Sequence, residues 1–280
     1  MTRPKDLDPS SNPRALLGCE LRHARERKRM SQEALGAPLF VSGSFIGQLE
    51  AGTRRMHMEY AQHFDEMLDT GGFFARNCQA VAKSKYPDHF AEAAEAEAVA
   101  TAIKEYTTTL IPGLLQTGTY AAAVFRAYHP TAAAEKIDAL VAARLERATL
   151  LDDPTTPLLW VVLDEASIRR RVGGNAVMAE ALRHVATLAL QHRVIVQVLP
   201  FDAGEHAAMH GSLKLMEFEG APPLSFVEAP DMGKLLDDPA TVTRHTLMFN
   251  LLQATALSPK KSLALLESVA QDYEHGEQHP

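Results

Sequence analysis

One short loop of the sequence contains four side chains of the metal-binding type: Asp202, Glu205, His206 and His210. Two histidines four residues apart form half of a zinc site, because imidazole nitrogens are common zinc ligands. In a zinc hydrolase a glutamate directly after the first histidine acts as the base, but Ala207 occupies that position here. No third ligand is identifiable by spacing. We therefore interpret the loop as a polar connection that closes a pair of strands, in preference to a metal or catalytic centre.

A run of three arginines, Arg169 to Arg171, follows Asp164 and Glu165 closely. Acidic side chains stabilise the N-terminus of a helix, so the two carboxylates favour a helix start at this point. The simplest interpretation is a capped and solvated helix. The alternative is a patch in which Arg169 and Arg170 bind an anion or a partner protein.

Trp160 is the only tryptophan of the chain, and it lies among large apolar residues. Such residues fill a core more often than they line a ligand cage, although a sheet beside a long loop is a place where pockets form. The sequence has no Gly-x-Ser-x-Gly elbow, P-loop or dinucleotide-binding motif. We therefore expect no catalytic activity and no cofactor. A ligand or partner surface stays open, with five candidate residues: Trp160, Arg169, Arg170, His206 and His210.

The charge of the chain is unevenly distributed. The net charge of −7 argues against a protein that binds nucleic acid through its whole surface. However, the segment 14–56 has eight basic and four acidic residues, whereas the segment from residue 81 to the end has 17 basic and 25 acidic residues. A small basic head therefore precedes an acidic body. The head can attract the phosphates of a nucleic acid, and the body would repel them.

The cysteines and the longest uncharged segment predict the cellular location of the protein. Cys19 and Cys78 have no Cys or His at ligand spacing, which argues against a disulfide framework and favours a reducing, cytoplasmic location. The segment 107–125 lacks charged side chains, but its polar residues and its Pro-Gly pair argue against a membrane span. The two ends, 1–13 and 274–280, are expected to be flexible.

The basic head has the pattern of four short helices. Apolar residues at helical spacing predict a first helix over about 14–28 and a fourth over about 58–68. Ser31 and Ser42 are suited to cap the second and third helices, and Gly52 to end the third in the left-handed conformation. Short helices at this spacing are typical of a helix-turn-helix bundle.

The run from Ser31 to Arg55, SQEALGAPLFVSGSFIGQLEAGTRR, resembles the helix-turn-helix of the XRE (xenobiotic-response-element) class of bacterial and phage repressors. In that class the small residue between the two helices corresponds to Gly36. The end of the third helix corresponds to Ile46, Glu50 and Gly52. This sequence departs from the class at Phe40, where glycine is usual, and at Pro38, which interrupts the end of the second helix.

Seven residues of the head are predicted to contact DNA: Gln32, Ser42, Gly43, Ser44, Gln48, Arg54 and Arg55. The resemblance implies that Gln32, which opens the second helix, contacts a phosphate. It places the base-reading positions at Gly43, Ser44 and Gln48. Because glycine has no side chain, readout would depend on Ser44 and on Gln48, whose amide can form two hydrogen bonds with adenine.

Arg54 and Arg55 follow the recognition helix and are suited to phosphates, where contacts set the register rather than the sequence. One head offers few phosphate contacts, so we expect a homodimer that binds half-sites about one helical turn apart. The alternative is that the arginines form only a solvated face of a small helical bundle and bind no DNA. The two capped helices and the glycine at their crossing favour DNA binding.

The acidic body is predicted to combine helices with a modest sheet. An Ala- and Glu-rich segment with apolar residues at helical spacing predicts a connecting helix over 91–106. Short β-branched or alternating runs predict strands over 158–163, 194–200, 212–219 and 223–229. Further helices are predicted over about 119–127, 132–151, 176–191, 239–256 and 259–272. The expected fold class is mainly α with an α+β C-terminal part.

Five motifs of the body resemble the domain that follows an XRE-type helix-turn-helix in WhiJ-like, or antitoxin-like, regulators of actinobacteria. They are IPGLLQTGTYA (111–121), AARLERATLL (142–151), VVLDEASIRRRVGG (161–174), VQVLPFDAGEHAAMHGS (196–212) and ALSPKKSLALL (256–266). The resemblance implies a DNA-binding regulator controlled by a short protein from a neighbouring gene. Control by a small-molecule ligand is the alternative. The predicted domains are a helix-turn-helix over 14–72, connecting helices over 73–110 and a regulatory domain over 111–273.

Overall fold

The computed structural model describes Pro9 and residues 13–78, 88–230 and 232–276. Of the two ends predicted to be flexible, residues 1–8, 10–12 and 277–280 lie outside the described residues. The α-helices are α1 Pro13–Arg27, α2 Gln32–Gly36, α3 Gly43–Glu50, α4 Met58–Leu68, α5 Phe73–Asn77, α6 Asp88–Glu97, α7 Gly118–Tyr128, α8 Ala134–Ala148, α9 Glu165–Arg169, α10 Asn175–Leu190, α11 Pro239–Thr255 and α12 Pro259–His275. The strands are β1 Ala102–Thr107, β2 Leu158–Asp164, β3 Val194–Leu199, β4 Leu213–Phe218, β5 Ala221–Ala229 and β6 Met232–Leu236.

The chain divides into two compact units, which are described separately. The first comprises Met1–Thr101 and Met216–Arg244, and the second comprises Ala102–Leu215 and His245–Pro280. The first unit thus contains the basic head together with α6 and the hairpin of β5 and β6. A late part of the chain, residues 216–244, returns to the first unit, and the predicted domain boundaries after residues 72 and 110 stay predictions.

The core of the head is made by one face of each of its helices. Seven of its large side chains are fully buried: Leu21, Leu35, Ile46, Leu49, Phe64, Leu68 and Phe74. Full burial of such a side chain contributes about 1.5–3 kcal/mol. The predicted first and fourth helices are confirmed as α1 and α4 within one residue at each end.

The strands form one mixed sheet in the order β3-β2-β1-β4-β5-β6. In the second unit β1, β2 and β3 are parallel, with Ile103 opposite Leu159 and Val161 opposite Val196. Parallel neighbours need long crossovers, and α7 to α10 supply them here. In the first unit β5 and β6 are antiparallel. The predicted fold class, a helix-turn-helix bundle followed by an α+β part, is confirmed.

Two predictions about the body are wrong in part. The helix predicted over 91–106 ends at Glu97, and Ala102–Thr107 form β1, so the segment 73–110 is not wholly helical. Ile103 and Tyr106 are both fully buried, and because they lie three positions apart, their spacing was also compatible with one face of a helix. A strand inside a parallel sheet is covered on both faces, so its buried residues need not alternate. The sequence pattern also did not predict the short strand β6.

Candidate nucleic-acid interface

Two serine side chains fix the starts of the helices that form the helix-turn-helix. The Oγ of Ser31 accepts a hydrogen bond from the backbone N–H of Ala34 at 3.0 Å and caps α2. The Oγ of Ser42 accepts one from the N–H of Phe45 at 3.0 Å and caps α3. A cap of this kind stabilises a helix by about 1 kcal/mol. Both predicted caps are confirmed.

The turn between α2 and α3 accommodates both departures from the XRE pattern. Pro38 lies in a single turn of tighter helix, Ala37–Leu39. Phe40 takes the left-handed conformation with a φ of 55° and is 98% exposed. A Cβ on Gly36 would lie 2.6 Å from the carbonyl oxygen of Val41. Because no larger residue fits at this distance, the predicted role of Gly36 at the crossing is confirmed.

Gln32 is bound to a buried carboxylate. Its Nε2 donates a hydrogen bond to Oε2 of Glu50 at 2.9 Å. Arg25 binds the same carboxylate through Nε at 2.5 Å and Nη2 at 2.9 Å, and this hydrogen bonding raises the pKa of Arg25. The network joins α1, α2 and α3. It fixes the orientation of the side chain that is predicted to contact a phosphate.

Two glycines of α3 leave room for side chains of α2. A Cβ on Gly43 would lie 2.7 Å from Oε1 of Glu33, and a Cβ on Gly47 would lie 3.2 Å from Oε1 of Gln32. Each glycine weakens a helix by about 1 kcal/mol relative to alanine. A larger residue at either position would require the end of the Glu33 or Gln32 side chain to shift.

The two side chains predicted to read bases are covered in this structure. Gln48 is fully buried, and neither polar atom of its amide has a hydrogen-bond partner among the described residues. The hydroxyl oxygen of Ser44 is also buried and has no partner there. The elements packed on α3 include α1, α2 and, from the hairpin, β5. Phe45 of α3 also contacts Tyr60 of α4, with ring centroids 5.0 Å apart. In this structure neither polar group is accessible to a base.

Arg54 is enclosed by an aromatic ring and two carboxylates. Its guanidinium carbon lies 4.4 Å from the centroid of the Phe45 ring. Its Nη1 lies 3.4 Å from Oδ2 of Asp237, and its Nη2 lies 3.7 Å from Oε2 of Glu92. Arg55 is half-buried, and its charge helps to lower the pKa of Glu92. Arg54, which is predicted to bind a phosphate, is thus paired with two carboxylates in this structure.

Three acidic residues in the first compact unit contact the head, and sequence reasoning missed all of them: Glu92, Glu95 and Asp237. Nη2 of Arg14 lies 3.2 Å from Oε2 of Glu95, and Nε2 of His57 lies 2.5 Å from Oε1 of Glu92. The hydrogen bond with Glu92 raises the pKa of His57. Burial alone would raise the pKa of Glu92, but the hydrogen bond with His57 and the nearby arginines outweigh burial and lower it. The only signal in the sequence was an acidic body behind a basic head.

Trp160, Arg169 and Arg170 in the body are not brought into one site by their contacts. Nε1 of Trp160 donates a hydrogen bond to Oε1 of Gln197 at 2.9 Å. Nε of Arg169 donates one to Oε1 of Glu165 at 2.6 Å. Arg170 is exposed. Trp160 is half-buried, and the predicted helix start is confirmed, because the Asp164 side chain caps α9. The prediction that this helix is solvated is wrong, since Glu165, Ser167 and Ile168 are buried.

His206 lies beside a tyrosine that sequence reasoning did not select. Its Nε2 lies 3.3 Å from Oη of Tyr106, which donates a hydrogen bond to Oδ2 of Asp164 at 3.0 Å. Burial, together with the Asp164 charge, raises the pKa of Tyr106. His210 is exposed. Within the described ranges no three His, Cys, Asp or Glu side chains are grouped so that they could hold a metal ion.

Comparisons with known protein families match the head and the body to two different family models. Residues 16–72 match a family model described as a helix-turn-helix domain. Residues 90–268, more than half of the chain, match a model described as a domain of unknown function, DUF5753. The chain belongs to the DUF5753 family. A search of curated proteins and a search of solved structures find no match to it.

This DUF5753 protein therefore has a helix-turn-helix domain ahead of the region that defines its family. The helix-turn-helix domain supports a DNA-binding regulator, and it points away from an enzyme. In the part of the chain that is described, no helix combines the length and the apolar composition that crossing a membrane requires.

Proposed function

We propose that this DUF5753 protein is a sequence-specific transcription regulator of the XRE class, which binds duplex DNA as a homodimer through α2 and α3. The observation that carries the proposal is the pair of serine-capped helices that cross at Gly36. This geometry, together with the helix-turn-helix match over 16–72, is what a major-groove reader requires.

Each of the seven head residues has a role in this proposal. Gln32, Arg54 and Arg55 bind phosphates and set the register. Ser42 and Gly43 form the start of α3, where backbone N–H groups favour an anion. Ser44 and Gln48 read base edges in the major groove.

Selection from a pool of duplexes with a randomised core of about three helical turns tests the proposal. The full chain is the bait, and the enriched duplexes are sequenced. We expect a pseudo-palindrome whose half-sites are about one helical turn apart, bound by two protein chains. Enrichment of no sequence above the unselected pool would contradict sequence-specific binding, and one chain on a single half-site would contradict the dimer.

We further propose that the DUF5753 region is WhiJ-like and antitoxin-like, and that a short basic protein from a neighbouring gene controls it. The observation in favour is the acidic charge of the body, which speeds encounter with a basic partner more than it adds to final affinity. Co-expression of the two proteins, followed by size-exclusion chromatography at low and high salt, tests this. A complex of fixed stoichiometry at both salt concentrations supports the partner. Separate elution, with a thermal shift caused by a metabolite, would instead favour a small-molecule sensor.

A further inference from the structure

The surface that the proposed function needs for DNA is already occupied by other parts of the same compact unit. We call the occupying surface the acidic clamp, and define it as α6 with the hairpin of β5 and β6 and the residue that follows it, Asp237. Its carboxylates are Glu92, Glu95 and Asp237. Phe90 of α6 packs on Phe226 of β5 with ring centroids 5.7 Å apart, so the two parts of the clamp are joined by an apolar contact.

The clamp presents negative charge where a DNA phosphate would lie. The carboxylate of Asp237 accepts a hydrogen bond from the hydroxyl of Ser42, the capping residue at the N-terminus of α3. The same carboxylate pairs with Arg54. A helix N-terminus and a neighbouring arginine are a common phosphate-binding combination. Asp237 therefore takes the place of a phosphate at two predicted DNA contacts.

The structure with the clamp in place also buries polar atoms of α3 that have no hydrogen-bond partner among the described residues. A buried polar group without a hydrogen bond destabilises the state that buries it, and both polar atoms of the Gln48 amide are in this condition among the described residues. The Ser44 hydroxyl adds a third such atom. α3 is packed against α1, α2 and β5, and apolar side chains at positions 44 and 48 would make the state that buries them more stable. Polar side chains are useful there if α3 is exposed to bases in another state.

We propose that the acidic clamp is autoinhibitory: it occupies the DNA-binding surface of the head, and operator DNA binds after the clamp has moved away. The proposal rests on the proposed DNA-binding function. Closed and open states then compete, and anything that weakens the ionic contacts of the clamp raises the fraction of open molecules.

Charge-neutral substitutions in the full chain test the clamp. Glu92→Gln combined with Asp237→Asn removes the carboxylates that bind Arg54, Ser42 and His57. Glu135→Gln combined with Asp138→Asn is the matched control, because both residues are exposed on α8 and the change in net charge is equal. We expect the clamp variant to bind a pool of random duplexes at least about fivefold more tightly than the control. Equal affinities would overturn the proposal.

A reversible lock gives a second test in the same chain. Ser42→Cys with Asp237→Cys places two thiols on neighbouring segments, where the Ser42 hydroxyl lies 3.3 Å from Oδ2 of Asp237 and the sulfur at position 237 takes the place of the carboxylate carbon. The oxidised protein should lose duplex binding and regain it on reduction, whereas each single cysteine variant should bind equally under both conditions. Full binding by the oxidised and cross-linked protein would overturn the proposal.

A measurement without DNA separates failure of the clamp from failure of the proposed function. A thiol at position 48, introduced as Gln48→Cys, should react slowly with a maleimide in the otherwise unchanged chain, and at least about fivefold faster when Glu92→Gln and Asp237→Asn are added. The label is located by peptide mass spectrometry, because Cys19 and Cys78 are also free thiols. Absence of duplex binding by every variant would overturn the DNA-binding function, while an unchanged labelling rate would overturn the clamp.

Discussion

The hydroxyl of Ser42 donates a hydrogen bond to Oδ2 of Asp237 at 3.3 Å while its oxygen caps α3. The two residues are separated by 195 positions in the sequence. The Ser42 side chain thus caps the recognition helix α3 and also binds the Asp237 carboxylate, which lies at the N-terminus of that helix. This double role makes the closed state of the head sensitive to changes far from α3.

Replacing Gln48 with methionine should stabilise the closed protein. Gln48→Met keeps the length of the side chain and removes two buried polar atoms that have no partner within the described chain, which we expect to raise the free energy of unfolding by about 1–2 kcal/mol. Urea denaturation measures the change. Gln62→Met on the exposed face of α4 is the control and should stay within about 0.5 kcal/mol of the parent. A loss of stability in Gln48→Met would contradict the closed geometry.

Substitutions at Gln48 and Arg55 should separate base reading from phosphate binding. Gln48→Ala is expected to cost about 1–3 kcal/mol of binding free energy at one base position and to relax the preference there. Arg55→Ala is expected to weaken binding to all sequences alike and to reduce the salt slope by about 1. Titrations of a duplex and its single-base variants at several salt concentrations check both. If the two variants behave identically on every sequence, Gln48 does not read a base.

The pair of His57 and Glu92 should make the stability of the head depend on pH. The pKa of His57 is raised by its hydrogen bond with Glu92, so its contribution is fully present below the unfolded pKa of about 6.5 and is lost as the pH rises through the higher folded value. The other charged groups that shift it are Arg55, which lowers the pKa, and Glu59, which raises it. His57→Gln should therefore destabilise the protein more at pH about 5.5 than at pH about 8.

At low pH, protonation of Glu92 removes the stability that the pair with His57 contributes. Its pKa is lowered in the folded protein, so its contribution is present above the unfolded value of about 4.5 and is lost as the pH falls through the folded value. Thermal melts of the parent and of His57→Gln across this range measure both limits. His63→Gln, an exposed position on α4, is the control. A difference between the parent and His57→Gln that does not vary with pH would contradict the pair.

Breaking the buried ion pair behind the recognition helix should destabilise the head strongly. Glu50 has a side-chain exposure of 1%, and Glu50→Ala leaves the guanidinium of Arg25 and the amide of Gln32 without their shared partner. We expect a cost of about 3–5 kcal/mol, measured by urea denaturation. Glu66→Ala on the surface of α4 should change stability by less than about 0.5 kcal/mol. A loss near 1 kcal/mol or below in Glu50→Ala would show that the pair adds little.

The histidine loop of the body should not hold stoichiometric zinc. His206 uses Nε2 toward Tyr106 at 3.3 Å, and its Nδ1 accepts a hydrogen bond from the N–H of Ala208 at 3.3 Å, so both ring nitrogens are engaged. Metal analysis of the purified protein checks this expectation. Zinc that is present at one equivalent, lost in His206→Ala or His210→Ala and retained in the exposed control His23→Ala would overturn our interpretation of the loop.

Features of the head that depend on near neighbours in the chain can be predicted from the amino-acid sequence. Caps at Ser31 and Ser42 bind N–H groups three residues away, and the apolar spacing of α1 and α4 lies within a few turns. Such signals are readable because one short stretch contains both partners. In the body, the same local reasoning failed at β1, since a strand buried on both faces leaves no alternation to detect.

The surroundings of the candidate DNA-binding residues depend on tertiary packing and could not be predicted from local patterns. The sequence selected Gln48 and Arg54 by their positions in a helix-turn-helix pattern, but gave no indication that Gln48 is buried or that Arg54 pairs with Glu92 and Asp237. Those carboxylates come from α6 and from the segment after β6, and their types are unremarkable in an acidic body. A local pattern specifies which face of a helix is polar. Which distant segment covers that face depends on packing and pairing between elements far apart in the chain.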